Sequence, residues 1–226
     1  METSETNQSN PSSGDIATVL SDEFRPVFLN LSRVSLLLEL RESLEQQAPG
    51  RIGGTEVLRA AVVLLHASLE EFTRELVRRL LPHADAEALG KIPMLGSGNK
   101  EKSELGDLAK HRGKTVTELL QLSVEAMLER KTFNHTTEIK NALKPLIGWP
   151  AECDMKLEPL EPLMQRRHEI AHRGDLILHS HGEWGTMPIA SQDVAAWHAY
   201  VVLFVFGVLE QAVADEKWAK STKFSN

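Results

Sequence analysis

Along most of its length the chain repeats apolar residues at every third or fourth position, and that spacing admits little besides helices. Residues 16–48 carry Leu20, Phe24, Val27, Leu31, Val34, Leu38 and Leu44 in this rhythm, with Pro26 placed to break or kink the run. The stretch APGRIGG ends it. Thr55 stands where a cap opens a helix over 56–81, whose stripe is Leu58, Ala61, Val62, Leu65, Leu69, Phe72, Leu76 and Leu80, and Pro82 stops it. Residues 82–100, rich in Gly, Pro, Ser and Lys, read as a loop. A short helix near 102–111 and a helix over 116–131 follow, the second opened by the capping box Thr115–Glu118. Another near 136–147 is ended by Gly148-Trp149-Pro150. A helix over about 155–173 has Gly174 where a left-handed C-terminal cap belongs. Residues 174–190 read as loop, and Ser191 caps a last helix to about 218. No run of strands and no internal repeat stands out, so the expected fold is an all-α bundle of up-and-down helices.

The length of 226 residues suits one domain with a real core. Residues 16–220 are expected to form it. A polar, disordered tail over 1–15 and a short tail over 221–226 flank it. The single cysteine, Cys153, makes no intrachain disulfide and no Cys-rich zinc site, which points to a reducing cytoplasm. The N-terminus lacks the apolar core of a secretory signal. The most apolar run, YVVLFVFGVL over 200–209, is far short of the roughly 20 residues of a membrane span and reads as a core helix. Its aromatics read as core or dimer interface, and no membrane partner is expected. The net charge of −7 excludes a general nucleic-acid coat, so contact with RNA must come from a local basic patch.

The stretch LMQRRHEIAHRGD, residues 163–175, carries the chemistry, and it can be read twice. His168-Glu169-Ile170-Ala171-His172 is H-E-x-x-H. On a helix its histidines lie one turn apart and can share a zinc ion, with Glu169 as base. The context disagrees. Asp175 and Leu178 occupy the positions where the metzincin continuation needs Gly and His, Glu210 and Asp193 are the remaining third-ligand candidates, and arginines crowd the site. No metal is therefore expected. The second reading is Arg167 and His172 with four residues between them. Metal-free RNA cleavage needs a base for the 2′-OH, an acid for the leaving 5′ oxygen and a cation for the phosphorane; imidazole serves the first two and a guanidinium fork the third. Five positions along a helix turn about 140°, so the two residues do not share a face. A second copy across a two-fold axis would complete the site.

The RHEIAHRGD form resembles the bacterial RiboL-PSP branch of the HEPN superfamily, small α-helical domains with an Arg and a His separated by four to six residues. LLHASLEEFTREL looks like that branch's second long helix and TFNHTTEIKNALKPL like the segment before its motif helix, so the resemblance covers most of residues 55–210. It implies a metal-independent endoribonuclease that works as a homodimer without cofactor, in a toxin–antitoxin, antiviral-defence or RNA-processing role. Arg167 and His172 would be its catalytic pair and His168 the supporting polar residue. Other members are non-catalytic modules that bind a partner protein or RNA. Arg166, Arg173 and Asp175 are grouped with the site as supporting residues, and His179 and His181 as a loop able to contact RNA, with plain exposed loop residues as the other reading.

Plainer readings accompany these. Arg166, Arg167 and Arg173 alone are an ordinary solvated face, and Arg173 with Asp175 a local ion pair. Ile170 and Ala171 are core contacts. His66 and Glu70, one turn apart, read as a solvated pair, with a polar pair facing the motif helix as the alternative. Trp184 packs the loop against the bundle, with stacking on a base as its alternative.

Overall fold

In the computed structural model, residues 23–47, 49, 52–96 and 104–222 are described, so the expected helical residues 16–22 and both tails up to residue 15 and beyond 222 lie outside the described residues. The first described helix, α1, spans Arg25–Gln47 and buries Val27, Leu31 and Val34. Glu23 is helical, Phe24 is a bend and the new helix starts at Arg25, so the run breaks at Pro26 as expected: in the first turn its missing N–H has no intrahelical acceptor to lose. Helix α2 (Ile52–Leu80) begins before Thr55, which therefore lies inside it and is not its cap. Every residue of the stripe from Leu58 to Leu80 is buried, and a 3-10 turn over Leu81–His83, containing Pro82, ends the helix.

Helix α3 (Ala86–Leu89) is capped by Asp85, whose carboxylate accepts from Ala88 N at 2.8 Å. Helix α4 covers Leu105–Ala109. Helix α5 (Val116–Leu128) opens on the expected box: Glu118 N donates to Thr115 Oγ1 at 3.2 Å and Thr115 N to Glu118 Oε2 at 2.6 Å. Helix α6 is Thr136–Leu143. The single helix expected over 155–173 is divided into α7 (Ala151–Leu157), a 3-10 turn (Glu158–Leu160) and α8 (Glu161–Arg173). Pro159 and Pro162 cause the division, since neither can donate to the preceding turn.

Gly174, at φ +61°, ends α8 in the left-handed conformation, as its position predicts. The following stretch is more ordered than a loop. Strands β1 (Leu176–Leu178) and β2 (Trp184–Thr186) form an antiparallel hairpin, pairing Leu176 with Thr186, Ile177 with Gly185 and Leu178 with Trp184. Helix α9 (Ser191–Ala214) follows, with Ala190 at its N-cap and no side chain closing the end, so Ser191 is not the cap. The last helix breaks at Asp215 and resumes as α10 (Glu216–Thr222). The fold is all-α with this one small hairpin among the described residues.

Helix α2 is the spine: α1, α5, α6, α8, α9 and α10 all pack on it. One apolar cluster joins them. Its aromatic centre runs from Phe24 to Phe72 (ring centroids 5.7 Å) and on to Phe204 (6.2 Å, edge-on), with Trp149 and Trp218 closing the ends. One helix among the described residues, α9, is long and apolar enough to cross a membrane by length and composition, and 39% of its most apolar window is buried.

Candidate active site

Helix α8 meets the core through Leu163 and Met164, and the residues of the two readings lie around the rest of its circumference. Arg166 and Arg167, adjacent in sequence, part company here. Arg166 is buried; its Nη2 donates to Asp175 Oδ2 at 2.7 Å, Met187 O at 2.9 Å and Pro188 O at 3.1 Å. Arg59 of α2 reaches the same carboxylate oxygen through Nε at 2.7 Å and Met187 O through Nη2 at 2.8 Å. Burial pulls Arg166 below the ordinary arginine range, and Asp175 opposes the fall. Asp175 itself is buried and holds φ +59°, an uncommon conformation for a side-chain-bearing residue. Its N–H donates to Glu169 O and its carbonyl accepts from Met187 N. The three residues thus tie α2, the end of α8 and the exit of the hairpin together. Arg166 and Asp175 support α8 from beneath; Asp175 is buried, and Arg166 borders only the hollow on the α9 side of the helix. The expected Arg173–Asp175 pair does not form: Arg173 is exposed and meets Glu169 at 3.2 Å.

Arg167 is half-buried and turns toward α2 and the segment before α6. Its Nη1 donates to Asn134 Oδ1 at 3.4 Å, a long bond. Behind it lies His66, which is only 2% exposed and therefore not the solvated residue its spacing to Glu70 suggests. Its Nδ1 is 3.9 Å from Glu70 Oε2, and its Nε2 is sealed from solvent without a hydrogen-bond partner. Burial first, and the nearby Arg167 charge second, lower its pKa to about 4, against a raising effect of Glu70. His66 is therefore neutral at pH 7.

Asn134 is placed by two carboxylates. Its N–H donates to Glu138 Oε2 at 2.7 Å. Next to it, Thr136 donates through N–H and hydroxyl to Glu161 in the first turn of α8, and His135 Nδ1 lies 3.6 Å from the same side chain. The Thr136 hydroxyl is the main reason Glu161 sits below the usual carboxylate range. The segment TFNHTTE is thereby fastened to the motif helix.

His168 and His172 are exposed, with ring centroids 4.6 Å apart. Ala171 between them is exposed too and is no core contact, while Ile170 packs half-buried on the core. Glu169, the base of the zinc reading, is engaged with Arg173. Asp193 lines a hollow with Gln165, Glu169 and Trp197 on the α9 side of α8. Among the described residues no three His, Cys, Asp or Glu side chains are placed to hold a metal ion. On the hairpin, His179 and His181 stack in the open at 5.3 Å, and His181 lies 3.4 Å from Glu183. Trp184 is 68% exposed beside an exposed Leu178, so it does not pack the hairpin onto the bundle.

The structure thus brings His168 to His172 and His179 to His181, and it sends Arg167 toward a different side of α8 from His172. Asn134, Arg59 and Glu161 carry no signal of their own in the sequence; their importance lies in long-range contacts. Compared with known proteins, the chain matches no family model, no curated protein and no solved structure.

Proposed function

We propose that this chain is a metal-independent endoribonuclease of the HEPN type, working as a cytoplasmic homodimer in a toxin or antiviral-defence system, with RNA and a neutralising or accessory protein as partners. The 2′ oxygen attacks its own phosphorus and the bond to the 5′ oxygen breaks, leaving a 2′,3′-cyclic phosphate, or a 3′-phosphate after water opens it, and a 5′-OH end. One imidazole takes the 2′-OH proton and another returns a proton to the leaving oxygen, while a guanidinium grips the phosphorane. The observation that carries this reading is the open His168–His172 pair at the end of α8, with Arg167 on the preceding turn. Because Arg167 and His172 leave the helix on different sides, a second copy supplies the other half of the cleft.

A second reading has an observation of its own. Arg167 is half-buried and occupied with Asn134 and the surroundings of His66, an arrangement that also suits a non-catalytic module using α8 to bind a protein or RNA. Cleavage of single-stranded RNA in excess EDTA separates the two. Wild type should cut and generate 5′-OH ends, Arg167→Ala and His172→Ala should lose cutting with fold and dimer intact, and Glu169→Gln should keep it. Mixed Arg167→Ala and His172→Ala chains should recover part of the activity. A folded dimer that cuts nothing leaves the binding module. Loss in EDTA together with a dead Glu169→Gln restores the zinc hydrolase.

A further inference from the structure

Helix α9 is apolar on both sides, although only one side meets the core. Its buried line is Val194, Val201, Val205, Val208 and Ala212. The opposite side carries Gln192, Ala196, Ala199, Leu203, Phe206 and Glu210, all exposed, with Leu203 at 54% and Phe206 at 56%. Their spacing of four, three, four, three and four residues puts them on one face, and the large apolar side chains exposed at its middle are what a helix facing only water does not need.

The order of sizes along this line is itself informative. Reversed about its midpoint, the line fits itself: Phe206 falls opposite Ala196, Leu203 opposite Ala199, and Glu210 opposite Gln192. Each large side chain meets a methyl group and the ends meet polar to polar. A parallel pairing would instead set Phe206 against Phe206 and Glu210 against Glu210. We infer that α9 is a homodimer seam, in which two copies of α9 pack antiparallel across a two-fold axis on the exposed face, at the level of Val201 along the helix.

The face extends onto α1. Phe28 touches Phe206 at 5.6 Å between ring centroids, and Leu29, Leu36 and Leu40 form an exposed stripe along α1. Leu29, Leu36, Leu40, Tyr200, Leu203 and Phe206, at roughly 100 Å² of exposed surface each, offer about 600 Å². That reaches the upper end of the largest patch on an ordinary monomer and most of the ~800 Å² per partner of a stable interface. The alanine positions allow the close helix approach, about 8 Å between axes, that such a seam needs.

This inference does not rest on the ribonuclease reading, and its test uses no RNA. Sedimentation equilibrium of the full chain should show a dimer at micromolar concentration. Leu203→Glu and Phe206→Glu should each weaken it by about a hundred-fold or more, with unchanged helical circular dichroism. The register is read by cysteines. The double variant Ala199→Cys/Leu203→Cys should oxidise to a covalent dimer, whereas Ala199→Cys alone should not, because like positions lie about one helical turn apart across an antiparallel seam. Cys153 is buried and leaves this readout clean. A wild-type monomer, including one that floats with phospholipid vesicles and loses them on Leu203→Glu, overturns the proposal. So does a dimer indifferent to both glutamates, or one in which Ala199→Cys alone cross-links as fast as the double variant.

Discussion

Replacing His66 with leucine removes one titrating group from beneath Arg167, and the consequence follows from the burial of that group. Unfolded, the imidazole takes its proton near pH 6.5; folded, it resists until about pH 4. Between these values the unfolded chain binds more protons than the folded one, so stability falls as the pH drops through that window and levels off below it. Two-state linkage with these two values gives a loss of roughly 2 kcal/mol between pH 7 and pH 4.5 from this residue alone. Urea unfolding of wild type and His66→Leu at both pH values isolates the effect, because the carboxylates and the other histidines are common to both proteins. The wild type should lose about 2 kcal/mol more than the variant. At pH 7 the two should be close, since leucine fills a buried site and removes the orphaned Nε2. Arg167 is the second cause of the depression, so Arg167→Ala should shrink the difference without abolishing it. Equal pH sensitivity in wild type and His66→Leu, or a His66 ring that titrates by NMR with the exposed histidines, would refute the reasoning.

The knot at Asp175 should behave unlike the pair at Arg173. Asp175→Asn leaves the buried Arg166 without its anion and Arg59 with the exposed Glu56, and should cost about 3 kcal/mol by urea unfolding, whereas Arg173→Ala removes an exposed pair and should cost roughly 0.5 kcal/mol or less. Trp184→Ala should leave the melting temperature almost unchanged, because the ring is largely in water; in a ribonuclease it should weaken single-stranded RNA binding about ten-fold or more, with Trp184→Phe keeping most of the affinity, and equal binding by all three proteins would remove Trp184 from the RNA surface.

What could be read in advance follows from the range of the interaction concerned. The stripe of α2 and the glycine that ends α8 are local patterns, fixed by helix geometry within a few residues, and they stand where the spacing puts them. The hairpin does not announce itself, because Leu176-Ile177-Leu178 has no polar alternation and each strand is three residues long. The break of the motif helix was signalled by Pro159 and Pro162 and obscured by the apolar rhythm running through them. Arg166 and Arg167 are chemically identical neighbours about 100° apart on α8. Asp175 and the carbonyls of Met187 and Pro188, nine to 22 positions downstream, bury the first. The same holds for His66, whose distance of four from Glu70 suggests a surface pair until α8 covers it. Short-range order was therefore legible and the wiring between α2 and α8 was not. That wiring sets the surroundings of the motif: α2 buries a neutral His66 behind Arg167, and α8 leaves His168 and His172 in the open. Under the proposed ribonuclease reading, a phosphate reaching both kinds of group would come over the edge of α8 or between two copies of it. Mixing the Arg167→Ala and His172→Ala chains distinguishes these routes, since recovery of cleavage requires a site shared between subunits.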